Sequence, residues 1–416
     1  MRSHYAAFGV GAGLSLLAAG VFALIAPRVI QAEQDADGVH VVNIHEGDSG
    51  SFQLKDDDRN ISAEWKGEFA FAADGRALAS LKRRLEITSK EGGVVRKAVF
   101  TSEDDAIAVK AYKDDQALDP GEAADREAAD LLQLFARASG VGAKDRVAAM
   151  IAAGGKARVL EEISALVGEH AVGAYVEALA EATALSDDDV RAIASRVKAL
   201  ESDYAKRKAL AALLVSQELS DAAVAEIVEA AKSIEGDHEL RLIVEDLADG
   251  ELSGNAFAAA TALVEEIDGD HEVRLAASAL LESAALGAGD AARLLEIAAA
   301  AIDGDHEMRL IVEAAESRLK EPAVASAALA AIAAIEGAHE KRLAMEGAAA
   351  AFDDAGPWPA LIGMAASVGG DHDRRLAIEA LAAEAPKTDE IRAALRKAAD
   401  SIGSDHDRQL ALEAVE

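Results

Sequence analysis

The chain has 416 residues, and its 42 Lys+Arg against 75 Asp+Glu give a formal net charge of −33. A surface this acidic repels phosphates, so nucleic acid is excluded as a partner and a basic protein is favoured. The chain has no Cys, which excludes disulfides, thiolate zinc sites and cysteine nucleophiles.

Residues 6–26 carry no charge and no Pro, whereas Arg2 precedes them and Pro27 follows. An apolar helix of about 20 residues is long enough to cross a bilayer. We therefore predict that residues 1–32 form a signal anchor that holds the protein in the inner membrane, with its bulk in the periplasm or cell envelope. The alternative is a signal peptide cleaved near Ala32, which would leave a secreted or periplasmic protein.

The next segment has the alternating pattern of β-strands. Apolar and polar residues alternate over Ile61–Phe71, which predicts one strand with a single buried face. Gly92 and Gly93 separate two further runs of this kind and predict a hairpin, and Ile107–Ala111 predicts another strand. We predict a β-rich domain over residues 36–118, with a small antiparallel sheet or sandwich of about five or six strands.

From residue 121 onwards, one short string recurs in a helical sequence. Gly-Asp-His-Glu-x-Arg-Leu begins at Gly236, Gly269 and Gly304, and weaker copies lie on both sides. Measured from His170 to His406, the steps are 34, 34, 33, 35, 33, 33 and 34 residues. A fixed period of this length is typical of stacked repeats. We predict an all-α solenoid over residues 121–416, with about eight helix-pair repeats, and an α+β fold for the whole chain.

Each position of the string has a predicted structural role. The Gly ends a helix with a positive φ, and the Asp that follows binds free backbone N–H groups at a helix start. The Arg lies between acids four residues away on either side, which predicts a charged rail that neighbouring repeats join into a network. The His packs in the groove between repeats and bonds to the neighbour's turn. The signature residues are Asp203, Arg207, Asp237, His238, Arg241, Asp270, His271, Arg274, Asp305, His306, Arg309, His339, Arg342, Asp371, His372, Arg375, Asp405 and His406.

The string does not carry catalytic chemistry. His-Glu-x-Arg-Leu matches half of the zinc-protease motif His-Glu-x-x-His, but Leu stands where the second histidine ligand belongs. The sequence has no glycine-rich phosphate loop and no nucleophile elbow. We predict that the protein is not an enzyme and has no catalytic, cofactor-binding or metal-binding residues.

The stretches Ile61–Glu68, Leu85–Ile87 and Ser202–Tyr204 resemble a group of uncharacterised bacterial envelope proteins. That resemblance implies an N-terminal signal anchor, a small β-rich domain and HEAT-like tandem helical repeats. Similar exported regions are attached to sensor metallopeptidases of the BlaR type, but the metallopeptidase motif is absent here.

Two functions fit these features. The first is an exported, membrane-tethered scaffold that binds a protein partner through its acidic solenoid; this is an inference from architecture. The second is an envelope sensor or regulatory subunit that responds to pH or metal through its histidines and acts via a membrane partner. A homo-oligomer is also open, because glycines such as Gly9 and Gly13 allow two membrane helices to approach closely.

Overall fold

The computed structural model describes residues 29–34, 40–46, 48–55, 59–72, 74–103, 106–250, 254–283 and 286–416, with only the backbone described before residue 48. Most of the predicted signal anchor lies outside these residues. Within them, every helix is too short or too polar to cross a bilayer.

The N-terminal part is an antiparallel sheet. Its strands are β1 Val29–Gln34, β2 His40–Glu46, β3 Ser49–Lys55, β4 Arg59–Lys66, β5 Phe69–Phe71, β6 Leu78–Leu81, β7 Arg84–Glu91, β8 Val94–Glu103, β9 Ala106–Lys113 and β10 Gln116–Ala117. Eight of them pair in the order β1-β2-β3-β4-β7-β8-β9-β10, and β5 pairs with β6 in a separate hairpin. The predicted antiparallel sheet is confirmed, with more strands than expected.

The prediction of one strand over Ile61–Phe71 is wrong, because the chain turns at Gly67. Gly67 has a φ of +79°, and a Cβ there would lie 3.0 Å from the Cβ of Lys82. Alternation continues past the turn because β4 and β5 bury side chains in the same core. The predicted hairpin is confirmed: β7 pairs with β8 across Gly92 and Gly93, which have φ values of +55° and +82°.

The first helix, α1, covers Glu122–Ser139 and ends at Gly140, which has a φ of +67°. Its Phe135 ring lies 5.7 Å from the ring of Phe52 and 6.0 Å from that of Phe71, between ring centroids. The predicted repeat domain includes α1, whereas the buried face of this helix packs in the core of the sheet.

The rest of the chain is helical. Its helices are α2 Ala143–Ser164, α3 Glu169–Ala182, α4 Asp187–Val197, α5 Asp203–Ser216, α6 Asp221–Ala231, α7 Asp237–Ala248, α8 Gly254–Val264, α9 Asp270–Glu282, α10 Ala288–Ala301, α11 Asp305–Ala314, α12 Pro322–Ala334, α13 Ala338–Ala351, α14 Trp358–Ala365, α15 Asp371–Glu384, α16 Asp389–Ala399 and α17 Asp405–Val415. A 3₁₀ turn, Glu316–Arg318, lies between α11 and α12. Helix α2 bends at Gly155, which has a φ of 70° and a ψ of −174°.

These helices stack in two layers. The odd-numbered helices α3 to α17 pack side by side and form what we call the A layer; the even-numbered helices α4 to α16 form the B layer behind it. The buried apolar side chains from α2 to α17 form one continuous cluster. The predicted α+β fold with a tandem helical repeat region is therefore confirmed. The A layer has eight helices, and seven are followed by a B-layer partner.

A buried arginine cluster joins the sheet to the first repeats. The Arg146 side chain on α2 is fully buried and donates a hydrogen bond of 2.9 Å to Glu162. It also bonds to the Tyr175 hydroxyl, and its guanidinium lies 5.6 Å from the centroid of the Phe71 ring on β5. Arg137 of α1 donates a second pair of bonds to Glu162, at 2.8 and 3.1 Å. The cluster thus connects α1, α2, α3 and the β5–β6 hairpin.

Candidate interaction surface

The acid that begins most A-layer helices bonds to the next repeat. The Asp305 carboxylate accepts hydrogen bonds from the backbone N–H groups of Glu336 and Gly337, at 2.9 and 2.7 Å. The acid therefore binds free N–H groups at a helix start, as predicted, but the helix belongs to the following repeat. Equivalent pairs of bonds are accepted by Glu169, Asp203, Asp237, Asp270 and Asp371.

This bond also explains why the string contains glycine. The predicted positive φ is wrong for Gly236 and Gly269, whose φ values are −84° and −81°. A Cβ on Gly304 would lie 2.9 Å from an Asp270 oxygen, and one on Gly337 would lie 2.7 Å from an Asp305 oxygen. At Gly304 and Gly337 the glycine therefore makes room for the carboxylate of the preceding repeat, whereas Ser202 and Ser404 hold this position in two other repeats and donate the same bond.

One repeat lacks the acid, and the loop after it differs. Ala338 occupies the position of the acid at the start of α13. The corresponding glycine of the next repeat, Gly370, has a φ of 71° and a ψ of 137°, unlike its equivalents. Arg374 stabilises this loop by donating two hydrogen bonds to the carbonyl of Val368, at 3.1 and 2.9 Å. A different backbone conformation therefore accompanies the missing carboxylate.

Arginines link successive A-layer helices in what we call the arginine–acid ladder. Arg309 Nε donates to Glu340 of the next repeat at 2.5 Å, and Arg309 also bonds to Glu313 on its own helix. The predicted network between repeats is confirmed. The predicted pair between the arginine and the Asp four residues before it, such as Arg241 and Asp237, does not form in the described residues. The Asp binds backbone N–H groups of the next repeat instead. The links between repeats are Arg207–Glu239, Arg241–Glu272, Arg274–Glu307, Arg309–Glu340, Arg342–Asp373 and Arg375–Asp407.

The ladder lowers carboxylate pKa values. The hydrogen bond from Arg309 holds the pKa of Glu340 below its ordinary value of 4.5. Burial alone would raise the pKa of Glu307, but the bond and charge of Arg274 outweigh it and lower that pKa too. Stability from these pairs is therefore complete above the unfolded pKa near 4.5, and it is lost as the pH falls through the lower folded pKa.

Replacing Arg309 with Gln is expected to lower the free energy of unfolding by about 1 kcal/mol, because solvent partly screens the two pairs it breaks. Chemical denaturation at pH 7 measures the change. Arg293→Gln is the control, because the Arg293 side chain is 69 % exposed and lies 3.6 Å from Glu265, too far for a hydrogen bond. We expect this substitution to change the free energy of unfolding by no more than about 0.5 kcal/mol. Equal losses in both variants would show that the ladder adds nothing to stability.

The recurring histidines do not pack between the repeats, so that prediction is wrong. Six of them are exposed: His238, His271, His306, His339, His372 and His406. In the first five, Nδ1 lies 3.1 to 3.3 Å from Nη2 of the ladder arginine on the same helix. Arginine only donates, so a hydrogen bond between the two requires the ring to accept at Nδ1; in His271 and His306 the same Nδ1 also lies 3.5 and 3.7 Å from a carboxylate oxygen of Glu307 and Glu340.

Two observations separate the first and last repeats from the others. His170 is half-buried, and burial with the nearby charge of Lys208 lowers its pKa. In the last repeat, Asp405 pairs with Arg408, and Gln409 stands where the ladder has Arg.

Within the part of the chain that the structure describes, no three His, Asp or Glu side chains come close enough to hold a metal ion.

One leucine per repeat forms a second feature of the A layer, which we call the leucine row. Each leucine directly follows the arginine position, and in five of the six repeats an acid comes three residues after the leucine, on the same side of the helix; Ser278 holds that position after Leu275. The leucines are half-buried and are not among the apolar side chains packed against the core. The members are Leu242, Leu275, Leu310, Leu343, Leu376 and Leu410.

Comparisons with known proteins add little to this description. No family model and no curated protein matches the chain. A solved structure described as "Computational Design of Self-Assembling Cyclic Protein Homooligomers" is 18 % identical over 66 % of this chain and 93 % of its own, with a TM-score of 0.14. At that TM-score the likeness supports no inference about fold or assembly.

Proposed function

We propose that the protein is an exported, membrane-tethered scaffold that binds a basic protein partner along its A layer. The observation that carries this proposal is the half-buried leucine row, set among carboxylates that outnumber the neighbouring arginines. Arg241, for example, faces both Glu245 and Glu272. In most of these repeats one arginine thus faces two carboxylates, which leaves one negative charge unpaired near the leucine. This arrangement favours a partner that is basic and partly apolar.

The bonds between repeats support a scaffold role. Each repeat is joined to the next by the initial acid, by the ladder arginine, or by both. A surface held in place before its partner arrives loses little conformational entropy on binding. The N-terminal residues 6–26 supply the proposed membrane tether, and the sheet lies between that tether and the repeats in the sequence.

Site-specific photo-crosslinking of the full-length chain in cells tests the proposal. A benzophenone side chain replaces His306 on the A layer or, as the matched control, the exposed Arg293 on the B-layer helix α10. We expect one basic protein to crosslink at position 306 and not at position 293, with a yield that falls at high salt. Equal labelling from both positions, or no specific product, would contradict partner binding. Retention of Met1 in the purified chain supports the tether, and cleavage near residue 32 removes it.

A further inference from the structure

The leucine row presents one apolar side chain per repeat along six successive A-layer helices, from α7 to α17. Packed helices lie about 8–10 Å apart, so the leucines are spaced by about that distance along the solenoid. A partner that contacts every leucine needs apolar groups at the same interval, all on one face.

The charges beside the row are fixed by the ladder. The Arg309, Arg342 and Arg375 side chains are 12, 13 and 14 % exposed, and each already bonds to two carboxylates. The carboxylates four residues after them are more open: the Glu313 side chain is 40 % exposed and that of Glu379 is 31 % exposed. A ligand on the leucine row therefore meets negative charge that the arginines do not neutralise.

We infer that the leucine row binds an extended, basic polypeptide segment in the polyproline II conformation, with an apolar residue at every third position. A polyproline II chain has three residues per turn and advances about 9 Å per turn, which matches the separation of neighbouring helices. Every third side chain then faces the solenoid, and Lys or Arg between them reaches the row of open carboxylates. This inference rests on the proposed function and specifies the partner's chemistry.

Other regular conformations fit the row less well. Successive side chains of a β-strand alternate between two faces, so every third residue points alternately toward and away from the leucines. An α-helix places residues seven apart on one face, but they advance about 10.5 Å. Over six repeats, residues at that interval would fall progressively out of register with leucines on helices packed about 8–10 Å apart.

Synthetic peptides of the form (Lys-Pro-Leu)n, labelled with a fluorophore, test the inference by anisotropy against the full-length protein. We expect saturable binding that tightens as n rises to six and then levels off, because six leucines are available. A composition-matched scrambled peptide and (Glu-Pro-Leu)6 are the controls for register and charge. The double variant Leu310→Asp/Leu343→Asp is expected to weaken binding at least about tenfold, whereas Val109→Asp on β9 leaves it unchanged.

Thermal melting checks that each variant is folded, and a benzophenone in the peptide maps its position on the unaltered protein, independently of the variants. Crosslinks to α11 and α13 support the inference. Equal binding of the scrambled peptide, stronger binding of a basic helical peptide with leucine every seventh residue, or crosslinks to the B layer would overturn it. If these peptides fail while a cellular partner still crosslinks at position 306, the inference is wrong and the proposed function stands; failure of both experiments removes both.

Discussion

Replacing Arg146 with Ala is expected to lower the free energy of unfolding by about 3 kcal/mol. Loss of one partner from a buried ion pair typically costs about 3–5 kcal/mol. The lower end applies because Glu162 keeps its two hydrogen bonds from Arg137. The variant also loses the stacking of the guanidinium on Phe71 and its bond to the Tyr175 hydroxyl, whose pKa burial raises, so that the phenol stays neutral and accepts.

Calorimetry of the full chain measures this change and shows where it acts. Arg146 connects the β5–β6 hairpin to α2 and α3, so we expect the variant to unfold in two separated transitions, sheet and repeats. Arg158→Ala is the matched control, because Arg158 is an exposed arginine of the same helix. A single transition with the wild-type midpoint would show that the cluster does not couple the two parts.

The same cluster predicts an acid-sensitive contribution to stability. Burial raises the pKa of Glu162, but hydrogen bonds from Arg137 and Arg146 outweigh it, so the net pKa lies below the ordinary value of 4.5. Glu162 therefore stabilises the fold fully above pH 4.5, and this contribution is lost as the pH falls through its lower folded value. Arg146→Ala removes one of the three hydrogen bonds to Glu162, so the stability deficit of this variant should shrink as the pH falls below 4.5.

The sequence predicts the repeat architecture well, because stacked repeats require the same contacts at a fixed interval. The constant spacing of His238 and its equivalents predicted the helix pairs and the network between them. The string does not indicate, however, whether its Asp binds within its own helix or binds the next repeat. A residue four positions away on the same helix and a residue one period later are both within reach of Asp237, and the structure selects the later one.

Other features depend on contacts that no local pattern records. Arg146 looks like any helix-surface arginine in the sequence; its burial depends on Phe71, Glu162 and Tyr175, which lie 16 or more residues from it along the chain. The exposed histidines were predicted to be packed because they recur, yet recurrence alone does not separate a buried role from an exposed one.

Gly337→Ala is expected to lower the free energy of unfolding by about 1–3 kcal/mol in the wild-type chain. The backbone of Gly337 tolerates any residue, with φ −67° and ψ 124°. The added Cβ, however, would lie 2.7 Å from Asp305 Oδ2 and displace the carboxylate from two N–H groups. Asp305→Ala removes the same bonds directly and should cost a similar amount, about 1–3 kcal/mol.

The double variant separates this explanation from a general loss of helix capping. Once Asp305 is replaced by Ala, the Cβ at position 337 meets no carboxylate. Gly337→Ala then becomes close to neutral, because the preference for Gly over Ala at a helix N-cap is offset by the lower conformational entropy that Ala gives the unfolded chain. The expected coupling between the two sites is therefore about 1–3 kcal/mol, measured by denaturant unfolding of all four chains. Gly363→Ala on α14 is the control, since nothing lies within 4 Å of its Cβ; it should stabilise either background by about 0.5–1 kcal/mol. Additive effects of Asp305→Ala and Gly337→Ala would mean that the glycine of the repeat is not required by the preceding carboxylate.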